Sequence, residues 1–116
     1  DITWFKVWCR GGLLFGGGKP AFHDKLLDGK YKFEVDKEEV TIELGLLGKD
    51  IIKQVEFKMD GKSLATIPPR RIGSWRKAIQ TLTLPDGAEH NIEIIVYPND
   101  EETYSPLTYR FILQKK

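Results

Sequence analysis

The chain has 116 residues, of which 41% are apolar and 30% are charged. This length fits one domain, and the composition excludes both a disordered chain and a membrane-spanning segment. There are 18 lysines and arginines against 17 aspartates and glutamates, so the net charge is only +1. Attraction to nucleic-acid phosphates is therefore weak, and nucleic acid is not an expected partner.

The residues that usually carry chemistry are sparse. The one cysteine, Cys9, excludes an internal disulfide and a cysteine-rich zinc site. Cys9, His23 and His90 lack the spacing of metal ligands, and no nucleophile stands with a base, so we expect no metal, no cofactor and no catalysis. The chain opens without an initiator methionine or a signal peptide, which indicates a fragment of a larger protein. The compartment stays open, with an extracellular or cell-surface location slightly favoured.

Residues 2–9, ITWFKVWC, read as a strand that is apolar on both faces. Trp4 and Trp8 fall on one face, and Phe5 and Val7 fall on the other. Such a strand needs cover on both sides. Either the glycine-rich stretch after it folds back over it, or a neighbouring domain or subunit covers it. The second explanation makes Trp4 and Trp8 partner-binding residues.

The glycine-rich stretch RGGLLFGGGKP, residues 10–20, resembles a phosphate-binding loop at first sight. It fails that motif because Leu13 stands where a glycine is required and Pro20 where a serine or threonine holds magnesium. We predict a flexible or bulged excursion with Leu13, Leu14 and Phe15 at its tip. Phe15 is then a candidate for insertion into a partner.

From residue 30 onward, apolar and polar residues alternate with a period of two, which predicts strands with one buried face. The residues expected inside are Tyr31, Phe33, Val35, Val40, Ile42, Leu44, Val55, Phe57, Met59, Leu82, Leu84, Ile92, Ile94, Val96, Tyr109, Phe111 and Leu113. Asp-Gly pairs between these runs predict tight turns. Residues 23–29, HDKLLDG, are the best candidate for a helix, of one or two turns ending at Gly29.

The stretch TIPPRRIGSWR, residues 66–76, holds the one cluster of arginines with an aromatic residue. Arg70, Arg71 and Arg76 with Trp75 suit stacked bases, sugar rings or an acidic partner. A tryptophan packed at a sheet end, with arginine stems over apolar surface, explains the same residues without binding. Two prolines and a glycine also favour a stiff connection from one sheet to the other.

Three segments carry a resemblance to a known family: VEFKMDGKSL (55–64), TLTLPDGAEHNIEIIVYPND (81–100) and TYRFIL (108–113). They resemble bacterial and archaeal immunoglobulin-like modules of the E-set or fibronectin type. The resemblance implies that His90 is a corner residue bonding a backbone group. It implies no catalytic residues, and it has no counterpart for residues 1–29.

The prediction is therefore an all-β chain, an antiparallel two-sheet immunoglobulin-like β-sandwich with an irregular glycine-rich N-terminal excursion. Residues 1–116 form a single domain, in which residues 30–116 are the core and residues 1–29 a strand with the excursion. The function expected is that of a structural or protein-interaction module of a surface, secreted or viral structural protein, with neighbouring domains or subunits as partners. The alternative is carbohydrate binding by two or more of Trp4, Trp8, Trp75, Tyr97 and Tyr104.

Overall fold

A computed structural model describes residues 4–9, 12–18, 25–47, 52–72 and 75–116. Within these ranges the chain forms ten strands and no helix. In chain order they are β1 (Trp4–Cys9), β2 (Gly12–Gly18), β3 (Lys32–Val35), β4 (Glu39–Leu47), β5 (Ile52–Met59), β6 (Lys62–Ile67), β7 (Arg70–Ile72), β8 (Trp75–Thr83), β9 (Glu89–Pro98) and β10 (Leu107–Lys115).

The strands form two sheets of five. The first has the order β2-β1-β4-β8-β7 and the second the order β3-β10-β9-β5-β6. Neighbours are antiparallel except β3 and β10, which run parallel. The series β1-β4-β8-β7 facing β10-β9-β5 is the ABED and GFC arrangement of immunoglobulin domains, with β6 added beside the second sheet. The predicted immunoglobulin-like β-sandwich is confirmed.

The core lies between the sheets and is built from the alternating residues. Of the residues predicted inside, all are buried except Tyr31 and Met59, which are partly buried against the core. Leu26 and Ile52 join them from outside the predicted set, at 0% and 6% exposure. Burial raises the pKa of Tyr109 to about 12, so its phenol stays neutral inside the sandwich.

The predicted helix at residues 23–29 is wrong for its described part. Residues 25–29 form turns and bends, while residues 23 and 24 lie outside the described residues. The physical reason is tertiary: the Leu26 carbonyl accepts a bond from the Arg110 amide at 2.6 Å, so this backbone follows β10. Gly29 then turns the chain with a φ of 78°, as its Asp-Gly pair predicts.

The glycine-rich stretch is more regular than an excursion. Residues 12–18 form β2, which pairs antiparallel with β1 and has one irregularity opposite Val7 and Trp8. Leu13, Leu14 and Phe15 therefore lie within a strand, and the prediction that they form a loop tip is wrong. Glycines allow this strand because backbone pairing with β1 does not require side chains.

Candidate functional site

The chain crosses from one sheet to the other within residues 66–76, the stretch for which the sequence predicts such a connection. β6 is an edge strand of the second sheet and β7 an edge strand of the first, so the chain crosses between sheets at Pro68 and Pro69. Neither proline can donate to a ladder, which suits a segment that leaves one sheet before joining the other. The role of TIPPRRIGSWR as a connection is confirmed.

The arginines of that connection lie at the edge of the first sheet. Arg71 holds the register position opposite Arg76, and Arg70 lies opposite Lys77. Arg70 is exposed and Arg76 is half-buried. The side chains of Arg71 and Trp75 lie outside what the structure describes, so a binding role for this cluster stays a prediction.

A second candidate surface is the side of the first sheet turned away from the core. We call it the first-sheet outer face and define it by Thr41, Glu43, Lys77, Ile79 and Thr81, the polar-phase residues of β4 and β8. The two threonine hydroxyls are hydrogen-bonded at 2.9 Å, and Lys77 Nζ lies 3.8 Å from Glu43 Oε2. Ile79 is 40% exposed in the middle of this face.

The register extends this face to β1. Trp8 lies opposite Thr41 and Trp4 opposite Gly45, whereas Val7 lies opposite the buried Ile42. Directly opposed residues share one side of an antiparallel pair. The positions of Trp4 and Trp8 therefore belong to the first-sheet outer face, although their side chains are not described.

The pairing of β2 bears on the first of the two explanations for how β1, which is apolar on both faces, is covered. β2 lies beside β1 in the same sheet, at the outer edge. A strand hydrogen-bonded edge to edge does not stack on its neighbour's face. The expectation that the glycine-rich stretch folds back over β1 is wrong for residues 12–18, and cover by a neighbouring domain or subunit remains as a proposal.

His90 forms the most connected polar cluster in the described part of the chain. Its Nδ1 donates to Asp60 Oδ2 at 2.5 Å and its Nε2 to Asp86 Oδ1 at 2.7 Å. Asp60 Oδ1 also accepts the Asn91 amide, and Asp86 Oδ1 accepts the Ala88 amide, both at 2.9 Å. His90 itself is 7% exposed. The cluster joins the β5–β6 turn to the β8–β9 loop.

The predicted partner of His90, a backbone group, is wrong, because both of its ring nitrogens bond carboxylates. Carboxylates only accept, so the two bonds form together when both ring nitrogens carry protons. The bond to Asp60 raises the pKa of His90, with help from Asp86 and against the effect of burial. The pKa of Asp60 is lowered, mainly by its hydrogen bond to His90. The pKa of Asp86 is also lowered, mainly by the hydrogen bond that it accepts from the Ala88 amide.

These shifts predict a window of pH in which the cluster stabilises the fold. The pKa of His90 is raised, so its contribution is full below the unfolded value of about 6.5 and is lost as pH rises through the folded value. The pKa values of Asp60 and Asp86 are lowered, so their contribution is full above about 3.9 and is lost at more acid pH. We expect the free energy of unfolding, measured by urea titration, to fall from pH 6 to pH 9.

The control for this dependence is His90→Gln, which keeps an amide donor and removes the titration. Its unfolding free energy should be lower at pH 6 and should change less between pH 6 and 9. Parallel profiles for the two proteins would show that His90 is not the titrating group.

The outer face of the second sheet is occupied by polar pairs. The Tyr97 hydroxyl donates to Glu56 at 2.8 Å, Lys32 Nζ lies 3.3 Å from Glu89, and Arg110 Nε lies 3.4 Å from Glu93. Beside them a cleft of about 490 Å³ opens between the turns at residues 28–29 and 60–61. Tyr97 therefore lies on the opposite sheet from Trp4 and Trp8, and these aromatic residues do not share one surface.

The described residues contain neither a cluster of metal-binding side chains nor a membrane-spanning helix. No three histidine, cysteine, aspartate or glutamate side chains there converge on one point suited to a metal. The acidic run at residues 99–102 is exposed, and Asp100 accepts a hydrogen bond from the Thr103 amide at 3.1 Å, an arrangement typical of a solvated turn. No helix in the described ranges has the length and apolar character to span a bilayer.

Comparison with known proteins gives the fold class and goes no further. No protein family and no curated protein matches the chain. A lytic polysaccharide monooxygenase from Jonesia denitrificans is similar in structure, with a TM-score of 0.50 and 13% identity over 75% of this chain. The chain spans 58% of that protein's length. Fibronectin(III)-like modules of Clostridium thermocellum CbhA match with a TM-score of 0.46 and 18% identity, over 78% of this chain and 94% of theirs.

Proposed function

We propose that this chain is a non-catalytic immunoglobulin-like module, acting as a structural or protein-interaction domain of a larger surface, secreted or viral structural protein. The observation that carries the proposal is the first-sheet outer face. Ile79 is 40% exposed there, the register adds the positions of Trp4 and Trp8, and β2 lies beside this face and not over it. Exposed apolar residues grouped on one sheet face are typical of a contact with another protein.

The non-catalytic part of the proposal is supported by His90. Both of its ring nitrogens bond carboxylates of the same chain, so neither nitrogen is directed at a substrate. Its position between two turns suits a structural role.

Photo-crosslinking tests the contact. A photoreactive amino acid at position 79, in the protein as its source makes it, is expected to crosslink to a neighbouring domain of the same chain or a subunit of the same assembly. The matched control is position 95, a half-buried isoleucine in β9 whose strand phase places it on the second sheet's outer face. Equal crosslinking at both positions, or none at position 79, would contradict the proposal.

Carbohydrate binding is the second candidate, because the register places three tryptophans on one face. Trp4 and Trp8 belong to the first-sheet outer face, and Trp75 falls in the same strand phase as Ile79. The similar monooxygenase acts on polysaccharides by its name, although the likeness extends only to the fold. If this candidate is right, an insoluble polysaccharide should retain the chain, and Trp8→Ala should abolish the retention. Tyr104→Ala is the control and should still be retained, because Tyr104 is 61% exposed in a loop away from this face.

A further inference from the structure

Two like-charged pairs lie side by side where β7 joins the first sheet. The register places Arg70 directly opposite Lys77 and Arg71 directly opposite Arg76. Like charges directly opposed on neighbouring strands destabilise the pairing of those strands. β7 has only three residues, so two of its three cross-strand pairs are repulsive.

Protection of the sheet edge explains only half of these charges. Charged side chains on an edge strand deter pairing with another chain, and β7 is an edge strand. β8 lies inside the sheet, between β4 and β7, so Arg76 and Lys77 are not needed for that protection. Cations placed opposite each other at a cost in stability indicate a surface that meets an anion.

The pair of Arg70 and Lys77 gives the first-sheet outer face a basic end. Lys77 belongs to that face, and directly opposed residues share one side of an antiparallel pair, so Arg70 extends the face to β7. Arg70 is exposed. Glu43 Oε2 lies 3.8 Å from Lys77 Nζ, and the register places Lys6 directly opposite Glu43. Three cationic positions therefore lie around the carboxylate of Glu43, although the whole chain has a net charge of only +1.

The same row of the register ends at a tryptophan. Lys77 lies opposite Gly45, and Gly45 lies opposite Trp4. The row from Arg70 to Trp4 therefore crosses four strands, over about 14 Å at the usual strand spacing. Trp4 also lies opposite Gly18 of β2, so glycines flank it on both neighbouring strands. No directly opposed side chain limits the approach of a flat ring to the position of Trp4.

Cations and a tryptophan in one row suit a polymer that carries both carboxylates and flat rings. The guanidinium of arginine binds a carboxylate through two parallel hydrogen bonds, and lysine binds it as a point charge. The faces of sugar rings stack on aromatic side chains. A sugar unit in an extended polysaccharide is about as long as the spacing of neighbouring strands, about 4.8 Å, so successive units can follow the row from one end to the other.

We propose that the first-sheet outer face binds an acidic polysaccharide built from uronic acid units, with carboxylates at Arg70 and Lys77 and a sugar ring at the position of Trp4. Binding of this kind rests on carbohydrate binding, the second candidate of the proposed function, and it names the class of polymer that this candidate leaves open. An acidic protein surface would supply the carboxylates without the rings, and the experiment separates the two.

Calorimetric titration of the full chain with polygalacturonate tests the site. The fully methyl-esterified polymer is the ligand control, because it keeps the sugar rings and removes their charge. Polygalacturonate is expected to bind about tenfold or more tightly than the ester, and added salt should weaken its binding. Arg70→Gln and Trp4→Ala should each weaken this binding by about tenfold. The matched control is Lys62→Gln, an exposed lysine on β6 of the second sheet, which should leave binding unchanged.

Arg70→Gln also separates lost binding from lost folding. The substitution removes one charge of a repelling pair, so the urea midpoint of the chain without ligand should stay the same or rise. Weaker binding by a variant at least as stable as the unaltered chain assigns the loss to the binding surface.

Polyglutamate carries carboxylates without sugar rings and stands for an acidic protein partner. Equal affinity for polyglutamate and polygalacturonate, or a polygalacturonate affinity that Arg70→Gln leaves unchanged, would overturn the proposal. Equal affinity for polygalacturonate and its methyl ester would overturn the acidic class and leave carbohydrate binding in place. Binding of neither polysaccharide would contradict both.

Discussion

Replacement of Phe111 by alanine is expected to lower the free energy of unfolding by about 3 to 5 kcal/mol. Phe111 is 1% exposed in β10, and its ring meets that of Phe33 edge to face at 5.3 Å between centroids. The substitution removes buried surface, leaves a cavity between the sheets and deletes this aromatic contact. Since domains of this size are stable by about 5 to 15 kcal/mol, the loss is a large part of the total.

Urea denaturation followed by tryptophan fluorescence measures this loss. Tyr104→Ala is the matched control, because Tyr104 is 61% exposed and its removal should change stability by less than about 0.5 kcal/mol. Equal losses in the two variants would mean that Phe111 is not part of the core.

Asp60→Ala is expected to cost about 2 kcal/mol, the second largest effect. Asp60 accepts bonds from His90 and from the Asn91 amide, and its own amide donates to the Asn91 carbonyl at 2.8 Å. Its φ of 53° is left-handed, a conformation that aspartate tolerates better than alanine. The side chain is 45% exposed, so solvent weakens the ionic part of these bonds and the figure stays modest.

Asp60→Asn separates the two contributions. Asparagine tolerates the left-handed backbone and keeps an oxygen for the Asn91 amide, but it removes the charge opposite His90. We expect about half the loss of Asp60→Ala together with a lower pKa of His90, followed by NMR titration of the ring. If asparagine and alanine destabilise the chain equally, neither the backbone conformation nor the bond from the Asn91 amide makes a contribution.

Strands with one buried and one solvent-exposed face could be predicted from the sequence, because the alternation of apolar and polar residues is a local pattern. β3, β4, β9 and β10 each repeat apolar residues at every second position, and β5 does so from Val55 onward. β2 has no such pattern, since its glycines give no polar or apolar phase. β7 has three residues, too few for a period. In the first half of β8 the apolar residues Ala78 and Ile79 are adjacent, so the alternation of apolar and polar residues is interrupted there. It is seen only in the second half of the strand.

The partners of His90 could not be predicted because they depend on which strands are neighbours. Asp86 is four residues away and could have been considered from spacing alone. Asp60 meets His90 because β5 pairs with β9, with Met59 opposite Ile92. The register of distant strands is not encoded in either segment separately. The Asp-Gly turns were predicted, and the bond between their aspartates and one histidine was not.

The parallel pairing of β3 with β10 affects how the sandwich bears mechanical load. The Arg110, Ile112 and Lys116 amides donate to the carbonyls of Leu26, Tyr31 and Val35, at 2.6, 2.8 and 2.7 Å. In parallel strands the start of one and the end of the other lie at opposite ends of the pair. Tension applied at Lys32 and Lys115 therefore shears the bonds together and does not unzip them one at a time. Along this direction the domain should resist stretching until the whole pair gives way.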